Sequence, residues 1–375
     1  MKKIFLILLF SISVQFVFAQ SPCENEIMNR IGKWSKGSDA NMKAGNNSQI
    51  ISCINQISKL FQSAYKPIGA EAKWYGSMDN FPLIKDGPIP FQFRSLYLTW
   101  FCAENPHRLI LGDETSTWAY VFANNLWWFA DPISFFVIQK NPVFLLTKKV
   151  GNFNGYPLYE GLHSGTSNTG TIYSRTLIIT RDSQSPYLPV TKKQYLKAYL
   201  NRIEKRIPKA LAQEENRRIM TEQEEEDNKR KNLASIERSN PADKAAKAKD
   251  LFLRSYVTDK QRHEETLNKL KKMFEDEMKP ARELLGSITE EEGEQPAIVD
   301  GDYVEGFKKF LTDEAGGRML VRLNPDYFKT NLPTYFPQFL IVYWRWKNGE
   351  TPSEYFKDQL QKNLDFNALK QMIDK

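Results

Sequence analysis

The sequence predicts an α+β fold: a mainly antiparallel, aromatic-rich sheet with flanking helices, interrupted by a long charged antiparallel helical hairpin. Three observations predict it. Residues 67–189 alternate bulky and small side chains between turn signals. Residues 190–285 hold no glycine, 24 Lys or Arg, 18 Asp or Glu and only five aromatic rings, the composition of long solvated helices. Strand and helix patterns then resume after residue 286. A hydrophobic share of 41% and only three cysteines exclude a disordered chain, a collagen-like repeat and a disulfide-dense miniprotein.

The first element is a signal peptide over residues 1–19. Lys2 and Lys3 precede a greasy run over 4–18, broken by Ser11, Ser13 and Gln15, and Val17 and Ala19 sit at −3 and −1 of a cleavage site near Ala19. Pro22 before Cys23 does not fit a lipoprotein site. No second membrane segment is expected, because Gln139, Lys140, Asn141 and Pro142 interrupt the best candidate, 135–146. The expected location is secreted or periplasmic, where disulfides persist. Of the three single pairings that Cys23, Cys53 and Cys102 allow, Cys23–Cys53 is expected, tying a terminus to a helix.

Helices are expected over 24–34 and 48–65 in an N-terminal section, 20–66; Ile50, Ile54, Ile57, Leu60 and Phe61 supply the stripe of the second. The β-rich body, 67–189, opens with a strand over 91–98. Trp118, Tyr120 and Phe122 then alternate with Ala119, Val121 and Ala123. Asn124-Asn125 is expected to turn the chain into a strand over 126–129, and Asn154-Gly155 to turn a later hairpin, before a strand over 171–180.

In the arm, 190–285, Thr191 and Gln194 form a capping box, and Leu196, Tyr199, Leu200, Ile203 and Ile207 one stripe. Pro208 is expected to end or kink that helix, and Asn240-Pro241 to cap a second long one running towards Pro280. The last section, 286–375, offers an acidic return loop over 286–301, strands over 318–323 and 339–346, and a terminal helix over 352–375. These are expected to complete the body.

Chemistry is scarce. The chain lacks a phosphate loop, a zinc helix, a serine elbow, a CxxC pair and a calcium loop. Three histidines exclude a histidine-rich metal centre, and neither a metal nor a cofactor is implied. The candidate catalytic residues are His163, in a Gly- and Ser-rich loop over 161–170; His107; Cys102, the expected leftover thiol; and Asp113 with Glu114, consecutive acids at a strand-to-strand connection. The candidate binding residues are Trp118, Trp127 and Trp128. Adjacent tryptophans on a strand face opposite sides, so one of the pair offers a flat ring to a ligand.

The net charge of +7 is mild for this length and no basic run is free of acids, which does not fit a nucleic-acid binder. The function expected is therefore that of an exported, non-catalytic envelope protein, binding a protein partner or self-associating through its arm. The alternatives are a hydrolase of envelope glycans or peptides and a glycan-binding module using tryptophan.

Overall fold

Period-two alternation in the sequence becomes strands that pair antiparallel in all but one case. The computed structural model describes residues 22–38, 48–79, 82–104, 107–126, 129–138, 141–167, 170–181, 184–301 and 306–375. The expected signal peptide, Trp127 and Trp128 lie outside them. In chain order the elements are α1 (Pro22–Met28), β1 (Trp34–Lys36), α2 (Ser48–Ala64), β2 (Ala70–Met78), β3 (Phe91–Glu104), β4 (His107–Leu111), β5 (Trp118–Ala123), β6 (Ala130–Ile138), β7 (Asn141–Leu146), β8 (Lys149–Phe153), β9 (Tyr156–Glu160), β10 (Gly165–Ser167) and β11 (Gly170–Ile179). They continue with β12 (Tyr187–Pro189), α3 (Lys192–Glu215), α4 (Glu222–Ser239), α5 (Ala242–Ser255), α6 (Asp259–Ser287), α7 (Glu290–Gly293), β13 (Ile298–Val299), β14 (Arg318–Leu323), β15 (Leu340–Lys347), α8 (Thr351–Asn363) and α9 (Phe366–Gln371). The fold is α+β, and no helix among the described residues is long and apolar enough to cross a membrane.

Two compact units divide the chain. The first takes the described residues through Phe129, then 151–183 and 328–375. Its sheet runs β1-β2-β3-β5-β15-β11-β9-β8, with β4 on β3 and β10 on β11, and only β1–β2 is parallel. One face carries the core: Ala119, Val121 and Ala123 of β5 and Val342 and Trp344 of β15 meet Ile54, Ile57 and Phe61 of α2 and Phe356 of α8. Small residues on β5 leave room for the large side chains of α2 and α8, as close packing requires. At the end of β5, Asn124 adopts a left-handed backbone, φ 59°, and is fully buried.

The second unit takes 130–150 and 184–327. Its sheet runs β12-β14-β7-β6 with β13 on β14. Tyr195, Tyr199 and Ile203 of α3 and Phe274 and Met278 of α6 pack over Val143, Leu145 and Leu320 of that sheet. The stripe read from the sequence therefore holds a core.

Several expectations change. The cysteine bridge joins Cys23 to Cys102, whose Cα atoms lie 6.2 Å apart, and Cys53 is free and buried. Cys53 shares the inward face of α2 with Ile50, Ile54 and Ile57, so it points into the core, away from any partner. Trp34 is in a strand, because the first helix stops at Met28. His107 lies in β4, paired to the end of β3. Leu126 and Phe129 are buried but lie outside any strand. The two C-terminal strands separate: β14 joins the second sheet, whereas β15 enters the first between β5 and β11.

The arm changes most. Two long helices were expected, and four are present. Thr221 with Glu224 and Thr258 with Gln261 form capping boxes that start new helices part-way along, as Thr191 with Gln194 does at the base. Pro208 sits inside α3 and Pro280 inside α6. Packing of α3 on α6 there outweighs the roughly 3 kcal/mol cost of an interior proline. Asn240 closes α4 by donating from Nδ2 to the Ile236 carbonyl, 2.8 Å, and Pro241 takes the cap position of α5 without a side-chain bond.

Candidate functional site

The hairpin of α4 and α5 stands outside both hydrophobic cores: neither core cluster includes a residue from 222–255. Its two helices pack antiparallel on each other, with Lys249 paired to Glu237 at 2.8 Å and Phe252 edge-on to Tyr256. Only Glu225 of α4 and Ala245 of α5 are buried. Leu251 and Leu253 are 68% and 48% exposed, between Lys249, Asp250 and Arg254. At 1.5 Å per residue, α4 is about 27 Å long.

A polar joint connects this hairpin to α3 and α6. The break between α3 and α4 lies beside the break between α5 and α6, so four helix ends, each with backbone groups that lack an intrahelical partner, meet there. Side chains supply several of them. Asp259 accepts from the Met220 amide at 3.0 Å and pairs with Arg217 at 3.1 Å. Its own amide donates to Glu225 at 3.0 Å, and the Tyr256 hydroxyl donates to the same carboxylate. Below them, His263 meets Glu214 at 3.1 Å. The Met220 amide and then Arg217 hold the Asp259 carboxyl below the usual range; Tyr256 and then the Asp259 amide do so for Glu225. A lowered folded-state value means that the contribution is present at neutral pH and is lost as pH falls through and below the ordinary carboxylate range. Asp259→Ala is therefore expected to speed amide exchange at 217–221 and 256–260 by on the order of tenfold, leaving α8 unchanged. Acidification below about pH 4 is expected to do the same to the native chain. Uniform exchange across all helices would contradict the joint.

The sequence-derived site residues separate. Cys102 is held in the disulfide and is no free thiol. His107 places its backbone opposite Glu104 in the β3–β4 pair. Asp113 and Glu114 are exposed between β4 and β5 and make no ion pair or side-chain hydrogen bond among the described residues. No three His, Cys, Asp or Glu side chains among those residues converge as a metal site.

Two candidates do come together, on the face of the first sheet opposite its helices. Tyr343 of β15 stands opposite Tyr120 of β5, two residues along from Trp118. The His163 ring meets Tyr343 edge-on, centroids 6.5 Å apart, beside a Ser164–Ser174 hydroxyl contact of 3.0 Å. Tyr343 stacks on Tyr120 at 5.9 Å, Tyr120 on Trp118 at 6.0 Å, and the Arg345 guanidinium lies 4.1 Å from the Trp118 ring centre. Sequence reasoning missed Arg94 and Arg345. Their signal was present: each is a cation within an aromatic strand, on the face opposite the small residues of β5.

Comparison with known proteins finds no matching family model, no matching curated protein and no matching solved structure.

Proposed function

We propose that this protein is an exported, non-catalytic binding module that holds a protein partner along the α4–α5 hairpin. One observation carries the reading: 34 residues are capped, closed on themselves and tied through a polar joint, yet contribute nothing to either core. An element that stabilises neither unit has its use on its outer surface. Leu251, 68% exposed and flanked by Lys249, Asp250 and Arg254, offers an apolar side chain among charges of both signs. The hydrolase alternative has no comparable support, since Asp113 and Glu114 point to solvent and Cys102 is bonded.

The test is a photo-reactive side chain at position 251 of the full chain, irradiated in the cells that express it. One discrete heterologous adduct is expected, abolished by Leu251→Asp with Leu253→Asp. Replacing 222–255 by a short Gly-Ser linker is expected to remove the contact while both units melt within a few degrees of the native chain. No adduct, or one that survives the double substitution, overturns the reading. An adduct of two copies reassigns the surface to self-association. Deleting α3 and α6 as well would be uninformative, because they hold the core of the second unit.

A further inference from the structure

The face of the first sheet opposite its helices holds two half-buried arginines with no ion-pair partner among the described residues. Residues directly opposite in antiparallel strands share a face, and the register places Tyr75, Arg94, Tyr120 and Tyr343 in one row across β2, β3, β5 and β15. Trp118 and Arg345 pair in the adjacent row. The Arg94 guanidinium lies 4.7 Å from the Tyr75 ring centre, as Arg345 does at 4.1 Å from Trp118. Neither arginine has an ion-pair partner among the described residues, and the Nε of each is buried without a hydrogen-bond acceptor. The charged and titratable groups that act on Tyr120 are Arg94, Tyr343 and Arg345; those that act on Arg345 are Tyr343 and Tyr120. No carboxylate is among them.

Partly desolvated guanidinium groups without a counter-charge are costly, and ring faces recover only part of that cost. Both guanidiniums border the same tyrosine, so an anion seated there meets two forked donors at once. Burial pushes the Tyr120 phenol up, with Arg94 opposing, so at neutral pH its hydroxyl keeps a proton to donate. Burial also draws Arg345 down, a desolvation that a bound anion would offset.

We propose that Arg94, Tyr120 and Arg345 form a binding site for an oxyanionic saccharide, a sugar bearing a carboxylate or a phosphate, with the half-buried Trp118 ring along its edge. The two guanidiniums and the phenol take the oxyanion. The half-buried Ser164 hydroxyl, bonded to the buried Ser174, suits the hydroxyl-rich remainder. The site belongs wholly to the first unit, so it is independent of the hairpin.

Titration of the full chain with a galacturonate trimer, a hexose phosphate and a neutral galactose trimer, read by tryptophan fluorescence and calorimetry, tests this. Saturable binding of at least one charged sugar is expected, weakening with added salt, with no binding of the neutral one. Which charged sugar binds identifies the oxyanion. Arg345→Ala and Arg94→Ala are each expected to weaken binding about tenfold or more. Arg345→Lys, which keeps the charge but loses the fork, is expected to weaken it measurably with the fold intact. Equal affinity for the neutral trimer, no binding of either charged sugar, or unchanged affinity in Arg345→Lys with Arg94→Lys overturns the proposal. The variant lacking 222–255 is expected to bind the sugar as the native chain does.

Discussion

Asn124→Ala is expected to lower the unfolding free energy by about 3–6 kcal/mol, from a strained backbone and three stranded polar groups. The side chain is fully buried and its φ of 59° lies in the left-handed region, which asparagine tolerates better than alanine. Its Nδ2 donates to the carbonyls of Ile89 and Phe336, each at 3.1 Å, and its Oδ1 accepts from the Gln338 amide at 2.7 Å. One residue thus fixes three chain segments beside the end of β5. Without it, two part-buried carbonyls and a buried amide lose these bonds. Asn124→Gly removes the same bonds but relieves the backbone, and is expected to cost about 1 kcal/mol less than the alanine variant. Urea unfolding at constant slope measures both. A loss below 1 kcal/mol for alanine would show that water reaches these groups.

Loss of the Cys23–Cys102 bridge is expected to have an effect of similar size. It closes a loop with a sequence separation of 79. Constraining a loop of that length in the unfolded chain is worth about 2–4 kcal/mol. Cys102→Ser is therefore expected to lower the melting temperature by several degrees. The third thiol supplies an internal control. Burial pushes Cys53 up in pKa and hides it, so iodoacetamide is expected to label it only after denaturation. A non-reduced digest that links Cys23 to Cys53 would refute the pairing.

How much of this was legible follows from the range over which each signal acts. Local chemistry read well. Thr191 with Gln194 begins a helix, and Asn154 and Gly155 both adopt positive φ, 49° and 83°, as a tight hairpin turn requires. The side chains of β5 alternate as read, with its small residues in the core. The capping boxes at Thr221 and Thr258 carried the same signature as that at Thr191, and would have divided the arm into four helices. Long-range pairing did not read at all. Alternation in 340–347 shows that a strand exists, but period two carries no label for its neighbours. Nothing in 318–323 distinguishes its sheet from that of β15. The candidate binding face stayed hidden for the same reason, because Arg94, Tyr120 and Arg345 become neighbours only through the β3–β5–β15 register.

The position of β15 bears on how the chain comes to be folded at all. It is the inner partner of both β5 and β11, which precede it by more than 150 residues. Until it emerges, those two strands expose bare hydrogen-bonding edges and an unfilled interior. A nascent chain is thus barred from closing its larger sheet until synthesis has passed residue 347. The second unit, complete by residue 327, needs nothing from β15, so the two units are free to close at different times during synthesis.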